Sequence, residues 1–174
     1  MSHISTGVEY ALHCLLFLVP QREDAPEASA KDLAELQGIP PEYVAKLFTK
    51  LNRAGLVRAT EGVRGGFALA RKPEKISVLD VVDAIDDEKP LFECREIRSR
   101  CAVFDDAPPA WATRGTCSIH AVMLEAEQAM RVALRQHTLA DLAQRVRQKA
   151  TAGYEPAVIQ WLGDRSAGRR APRA

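Results

Sequence analysis

The chain has 174 residues, of which 47% are hydrophobic and 27% charged, and its formal net charge is +1. This composition is that of an ordinary globular protein, and it excludes an intrinsically disordered or uniformly basic chain. No apolar stretch reaches the roughly 18 residues that a membrane-spanning helix needs, and the N-terminus shows no signal-peptide pattern, so the sequence predicts a cytoplasmic protein.

The first half of the chain predicts four helices and one hairpin. The apolar stretch VEYALHCLLFLV lies in a helix over residues 5–20, and two β-prone runs around a glycine-rich turn predict the hairpin between the third and fourth helices. Caps and breakers bound the other helices: Ser29 and Gly38, Pro41 and Gly55, and Ser77. This order is typical of a winged helix-turn-helix domain over residues 1–88, in a mainly α fold with a small β-wing.

The second half predicts a loop, a long helix and an extension. Residues 89–116 have no periodicity and form an irregular, cysteine-bearing segment that we expect to act as a sensor loop. Residues 117–150 are predicted to be helical, and the extension 151–174 ends in a basic tail, 166–174, that is predicted to be disordered. The long helix carries an apolar stripe that needs a partner surface, which favours a dimerisation helix: Ile119, Met123, Ala126, Met130 and Leu134.

A basic patch covers the third helix and the hairpin. Residues 46–75 contain eight basic and two acidic residues, although the whole chain is nearly neutral. Such a local excess suits contacts to DNA phosphates. The third helix is predicted to lie in the major groove, and the hairpin tip to reach a phosphate or the minor groove. The predicted DNA-binding residues are Tyr43, Lys46, Lys50, Arg53, Arg58 and, at the hairpin tip, Arg64.

Four cysteines raise the possibility of a metal centre, since the cytoplasm keeps thiols reduced. Cys94, Cys101 and Cys117 lie in or next to the irregular segment, and His120 follows. This arrangement is typical of cluster-binding segments, although three buried structural thiols are the alternative. Cys14 lies on the apolar first helix and is predicted to be a core residue.

Two ionisable residues interrupt the apolar first helix. Glu9 and His13 are one helical turn apart and therefore point the same way. We expect them to be buried, which is costly without a partner. A hydrogen bond between them, or to an arginine, is one solution.

Several stretches of the sequence resemble a known family. The stretches GVEYALHCLLFLV, ASAKDLAELQGIPPEYVAKLFTKLNRAGLVRATEGVRGGFALAR and ISVLDVVDAID resemble the Rrf2 family of bacterial winged-helix repressors, over about residues 1–146. The fragments VEYALHC and CREIRSR are similar to those of RsrR-type redox regulators, and the family also includes the IscR and NsrR types. The resemblance implies a repressor that binds an operator in double-stranded DNA as a homodimer, with the long helix paired across a two-fold axis.

The resemblance also implies a ligand set for an iron–sulfur cluster. Glu9 and His13 of one subunit, with Cys101 and Cys117 of the partner subunit, would supply the four ligands of a 2Fe–2S cluster. One alternative uses Cys94, Cys101 and Cys117 with Glu9 for a 4Fe–4S cluster. Another replaces Glu9 with His120. The cysteines are more widely spaced here than in cluster-binding members of the family.

The expected function is therefore a DNA-binding transcriptional regulator that senses redox state or nitric oxide through an iron–sulfur cluster. A cluster-free regulator of the same family that binds a small molecule in the same cavity is the alternative. No nucleophile motif, phosphate-binding loop or paired-carboxylate site is present in the sequence, so no enzymatic activity is expected.

Overall fold

The structure, a computed structural model, describes residues 4–19, 27–60, 65–105 and 107–170. The chain divides into two compact units, Met1–Glu88 together with Leu134–Ala174, and Lys89–Ala133. The elements of the first unit are α1 (Thr6–Leu16), α2 (Ala30–Gln37), α3 (Pro41–Arg53), β1 (Val57–Ala59), β2 (Phe67–Leu69) and α4 (Val78–Asp86). After the second unit, which contains α5 (Ala110–Thr113) and most of α6 (Ser118–Arg135), the chain returns to the first unit with α7 (Leu139–Lys149) and α8 (Tyr154–Arg170).

Local signals build the helix-turn-helix. Ser29 caps α2 in a capping box, in which its hydroxyl accepts from the Asp32 N–H and the Asp32 carboxylate accepts from the Ser29 N–H. Gly38 ends α2 with a φ of +65°, and Pro41 opens α3. The apolar faces of α1, α2 and α3 then meet in one core, whose fully buried side chains include Leu15, Leu33, Val44, Phe48 and Leu51.

The wing is a short hairpin joined to the segment before α2. β1 and β2 pair antiparallel with Val57 opposite Leu69. Phe67 also bridges to Ala28, and its N–H donates to the Ala28 carbonyl at 2.8 Å. A Cβ at Gly66 would lie 3.1 Å from the Ala28 carbonyl carbon, which is tighter than most Cβ contacts, so this close approach favours glycine. The wing is thereby fixed to the start of the helix-turn-helix.

The starts of α4 and α7 lie side by side. Ser77 and Thr138 form an isolated antiparallel bridge, and the Leu139 N–H donates to the Ile76 carbonyl at 2.9 Å. Each helix begins with its own capping box. Leu139 is fully buried in the core, so α7 is an integral part of the first unit.

The C-terminal helix α8 packs on α2. Leu162 is only 3% exposed and belongs to the core. Arg165 binds the Glu35 carboxylate with both terminal nitrogens, one of them at 2.8 Å, and its guanidinium lies 4.4 Å from the Trp161 ring centroid. The predicted disorder of the tail is wrong for residues 166–170, which continue α8, because packing on α2 supports the helix. Residues 171–174 lie outside the described residues.

In the second unit, α6 carries the irregular segment on one face. The Leu91 N–H donates to the Glu127 carboxylate at 3.1 Å, and the Phe92 and His120 rings lie 6.0 Å apart. Residues on this face of α6, including Met123, are half-buried, but no residue of α6 is fully buried.

The structure therefore has the predicted fold class, mainly α with a small β-wing. In the part of the chain that is described, no helix is long and apolar enough to cross a membrane.

Candidate nucleic-acid interface and cysteine site

The solvent-exposed face of α3 is the candidate surface for sequence-specific contacts to DNA bases. Lys46 and Arg53 are exposed on it, as predicted, and Thr49 and Asn52 are exposed between them. Hydroxyl and amide groups at such positions hydrogen-bond to base edges, and Asn pairs well with adenine. The charge count overlooked Thr49 and Asn52 because both are neutral. The helical spacing that marks the basic face would have found them.

Lys50 makes contacts within the chain that the sequence analysis did not predict. Its Nζ donates to the Ile85 carbonyl at 2.6 Å and to the Asp87 carboxylate at 2.9 Å. A cation at this position stabilises the C-terminus of α4, where the helix dipole is negative. Lys50 thus ties α3 to α4, and its contact to DNA stays a prediction.

The remaining predicted DNA-binding residues are Tyr43, Arg58 and Arg64, and they differ in their surroundings. Tyr43 is half-buried, with its ring 5.9 Å from the Tyr10 ring in an edge-on arrangement, so part of its surface serves packing. Arg58 is exposed on the wing and donates to the Leu69 carbonyl at 3.2 Å. Arg64 lies outside the described residues.

Glu9 and His13 lie on the open side of α1. The expectation that they are buried is wrong for the single chain, because both are exposed, whereas Val8, Ala11, Cys14 and Leu15 form the buried face. Both line a largely apolar groove of about 630 Å³ between α1, α4 and α7. Their shared orientation agrees with the prediction from their spacing.

A second cavity of about 320 Å³ adjoins the same side of α1 and is closed by α8. His13 lines both cavities. Cys14 lies on the opposite side of α1, fully buried, and burial raises its pKa to about 12. The prediction that Cys14 is a core thiol is confirmed.

In the second unit, Arg98 is the centre of the cysteine site. Its guanidinium binds both carboxylate oxygens of Glu96, at 2.6 and 2.7 Å. This hydrogen bonding, and then the nearby Glu96, Cys117 and Cys94 side chains, raise the pKa of Arg98. The pKa of Glu96 is lowered, first by the hydrogen bond from Arg98 and also by the charge of His120. Cys94 and Cys117 are therefore electrostatic neighbours of Arg98, and His120 is an electrostatic neighbour of Glu96.

The three cysteines of this unit differ in exposure. Cys94 and Cys117 are half-buried, and Cys101 is exposed. Within the described residues of one chain, no three His, Cys, Asp or Glu side chains are grouped so that they could hold a metal ion. The sequence analysis overlooked Arg98 and Glu96 because it considered only the cysteines and His120 in this segment.

A helix-turn-helix, a wing and an exposed basic face on the second helix of the motif define a winged-helix DNA-binding protein. The sequence matches the Rrf2 family, described as an iron-dependent transcriptional regulator, over residues 4–145, and the chain belongs to that family. It is a DNA-binding transcriptional regulator and not an enzyme. The helix α8 lies beyond the matched residues.

Relatives and solved structures agree with this assignment. The chain is 34% identical to the protein rrf2 of Nitratidesulfovibrio vulgaris over 139 residues, 80% of this chain and 85% of the relative. It is 28% identical to the regulator NsrR of Shouchella clausii, over 80% of this chain and 87% of that protein. Its fold is similar to that of IscR from T. potens, with a TM-score of 0.62, 23% identity and coverage of 87% and 93% of the two chains.

Proposed function

We propose that this regulator is a homodimer that senses redox state or nitric oxide through an iron–sulfur cluster, with 2Fe–2S favoured. The observation that carries the proposal is that Arg98, whose guanidinium binds the Thr113 and Gly115 carbonyls shortly before Cys117, has Cys94 and Cys117 as electrostatic neighbours. The relatives named NsrR and IscR and the iron-dependent description of the family support it. As a DNA-binding protein it would work in the cytoplasm.

The chemistry of the donor set fits such a cluster. Thiolates are the usual ligands of iron–sulfur clusters, and imidazole replaces some of them in known centres. Glu9 and His13 are exposed together on one open groove, so a second subunit could approach both. The lack of a metal-binding group within the described residues of one chain is compatible with ligands that come from two subunits. When bound, the cluster would supply a one-electron redox centre and a site that reacts with nitric oxide.

The structure favours a different cysteine pair from the sequence. The sequence favoured Cys101 with Cys117, whereas Cys117 and Cys94 are the cysteines that raise the pKa of Arg98. Cys101 is exposed at the start of a 3₁₀ turn. We therefore propose that Cys94 and Cys117 of one subunit act with Glu9 and His13 of the partner subunit. The arrangements with Cys101 or His120 are the competing outcomes of the experiment below.

The dimer interface is proposed to be the open face of α6. Ile119 is 65% exposed and Val122 is 60% exposed, and the exposed residues Ala126, Ala129 and Ala133 continue the same face. These five positions have the three- and four-residue spacing of an apolar helix seam. The predicted stripe is shifted from this seam, because Met123, Met130 and Leu134 are half-buried within the chain. A partner helix on the seam would cover side chains that are exposed in the single chain.

The sensing residues have a direct connection to the DNA-binding elements. The α1 helix carries Glu9 and His13 on one side and contributes Val8 and Leu15 to the core that it shares with α3. Ser5, before α1, donates two hydrogen bonds to the Asp86 carboxylate at the end of α4. A change in ligation at Glu9 or His13 would shift α1, and we propose that α3 moves with it relative to the DNA grooves.

The test is iron and sulfide analysis with visible spectra of protein purified without oxygen. Wild-type protein should be coloured and contain both elements. Cys117→Ser and Cys94→Ser should lose the cluster, whereas Cys101→Ser, at an exposed cysteine of the same segment, should keep it. Loss in Cys101→Ser with retention in Cys94→Ser would restore the pair predicted from the sequence. Colourless wild-type protein without iron or sulfide would refute cluster sensing.

The cavities favour one second candidate, a cluster-free regulator that binds a small apolar molecule. The 320 Å³ cavity between α1, α7 and α8 has the size and apolar lining of a small-ligand site, and its walls include Phe17, Val146 and Val158. Binding there would act on the same helix α1. If purified protein lacks iron, extraction and mass spectrometry of bound small molecules is the experiment that tests this candidate.

A further inference from the structure

Arg98 makes four hydrogen bonds within the second unit. Besides its two bonds to Glu96, its Nη2 donates to the Thr113 carbonyl at 3.3 Å and to the Gly115 carbonyl at 2.8 Å. Its side chain is 22% exposed, whereas that of Arg95, three residues earlier, is 81% exposed. Among the described residues, Arg95 makes a distant ion pair with Glu93 at 3.8 Å.

These bonds join the two ends of the cysteine segment. Arg98 follows Cys94 by four residues, and Gly115 precedes Cys117 by two. The guanidinium therefore fixes the chain that leads into α6 to the chain that follows Cys94. Gly115, with a φ of +67°, makes the turn that presents its carbonyl to Arg98. Five donors in a rigid plane suit this task, and a lysine cannot reproduce the geometry.

The same guanidinium is an electrostatic neighbour of both thiols, since Cys117 and Cys94 each raise the pKa of Arg98. Arginine stays protonated at all relevant pH values, and Glu96 holds the guanidinium in place. A fixed cation stabilises negative charge on nearby sulfur. It also opposes the loss of an electron from a cluster held there, because charge and hydrogen bonds near the sulfurs set the reduction potential.

We propose that Arg98 is a positioning residue, which holds together the two stretches of chain that carry Cys94 and Cys117 and raises the reduction potential of the cluster that they bind. The effect of the Arg98 charge on the reduction potential rests on the proposed function, whereas the ordering of the loop by Arg98 does not. A structural role alone would order the segment but would leave the potential unchanged when the charge is removed.

The experiment compares Arg98→Met and Arg98→Lys with Arg95→Met as the matched control, all in the full chain. Amide hydrogen exchange of peptides from residues 89–117 is measured in metal-free protein. The midpoint potential is measured by spectroscopic titration of protein loaded with iron and sulfide without oxygen. Arg98→Met should speed exchange about tenfold or more, because charge-assisted hydrogen bonds to an ordered loop are lost. It should also lower the potential.

Arg98→Lys separates the two effects, since it keeps the charge and loses the planar fork. It should exchange faster than wild type but keep a potential close to wild type. Arg95→Met should change neither property. Wild-type exchange in Arg98→Met would overturn the positioning role, and a wild-type potential in Arg98→Met would overturn the charge effect. Wild-type protein that takes up no iron would refute the proposed function and the charge effect, while the exchange result would still decide the positioning role.

Discussion

Replacing Leu162 with alanine tests whether α8 is a structural part of the DNA-binding unit. Leu162 is 3% exposed and lies in the same core as the helix-turn-helix, although α8 lies outside the residues that match the family. Truncating a buried leucine removes its transfer free energy and leaves a cavity, which together cost about 3–5 kcal/mol in well-packed cores. Because α8 packs at the periphery of the unit, we expect a loss of about 3 kcal/mol in the free energy of unfolding.

Urea unfolding followed by circular dichroism measures this loss, with thermal unfolding as a second readout. For a chain of this size, 1 kcal/mol corresponds to about 2–4 °C, so Tm should fall by about 6–12 °C. Ile159→Ala is the matched control, since Ile159 lies on the same helix but is 38% exposed. It should cost less than about 1 kcal/mol.

The result that refutes this reasoning is a Leu162→Ala protein within about 0.5 kcal/mol of wild type. In that case α8 would lie on the unit without contributing to its core. A loss shared equally by Leu162→Ala and Ile159→Ala would mean that the burial of Leu162 does not set the cost, since alanine has the highest helix propensity of the three residue types. If the reasoning holds, operator affinity measured well below the new Tm should be unchanged, because Leu162 is buried and cannot touch DNA.

Three further predictions concern DNA binding, assembly and pH. Lys46→Ala should weaken operator binding and reduce the slope of log affinity against log salt by about 0.9 for each lost phosphate contact. Lys50→Ala should mainly lower the stability of the protein. Mobility shifts at several salt concentrations measure the first effect, and urea unfolding measures the second. Val122→Asp should give monomers in light scattering because it buries an unpaired charge in the proposed seam, and Leu124→Asp, at an exposed leucine on another face of α6, should leave the dimer intact. Hydrogen bonds from the Thr138 backbone N–H and hydroxyl lower the pKa of Asp141 from its ordinary 3.8, so this stabilisation is present above that value and is lost as pH falls through the folded-state pKa. Asp141→Ala should therefore destabilise the protein at pH 7 and differ less from wild type near pH 3; an equal difference at both pH values, seen in urea unfolding, would exclude the charged cap as the cause.

The elements that depend on local chemistry were predicted well from the sequence. Capping residues and proline at the start of a helix act within a few residues, so Ser29, Pro41 and Ser77 correctly marked the starts of α2, α3 and α4. The glycine-rich turn likewise marked the wing, whose two strands pair as expected. These signals need no knowledge of distant parts of the chain.

Features that depend on distant contacts were not predicted. The sequence near Pro156, Gly163 and Gly168 contains residues that disfavour helices, but Pro156 lies in the first turn of α8, where proline is tolerated. The helix is held by contacts to α2, about 130 residues earlier in the chain, such as Arg165 with Glu35. No local pattern reveals such a partner.

In the candidate site, too, features set by local sequence were predicted and features set by distant contacts were not. The shared orientation of Glu9 and His13 follows from helical spacing alone, but their exposure depends on which side of α1 the other helices cover. The pairing of Lys50 with Asp87 depends on the end of α4 lying beside α3. The role of Arg98 depends on a turn at Gly115. The spacing of residues along the sequence does not predict where this turn lies relative to Cys94.

The order of the two units along the chain has a consequence for synthesis. A ribosome that has made residues 1–88 has made every helix that reads DNA, yet Leu139 and Leu162, which complete the core, come only after the cysteine segment. The DNA-binding unit therefore cannot finish folding before residues 89–133 have been translated, and an unfinished chain lacks the complete core of that unit. A single protease cut within residues 89–133 would likewise leave both parts of the first unit in place, held together only by their packing.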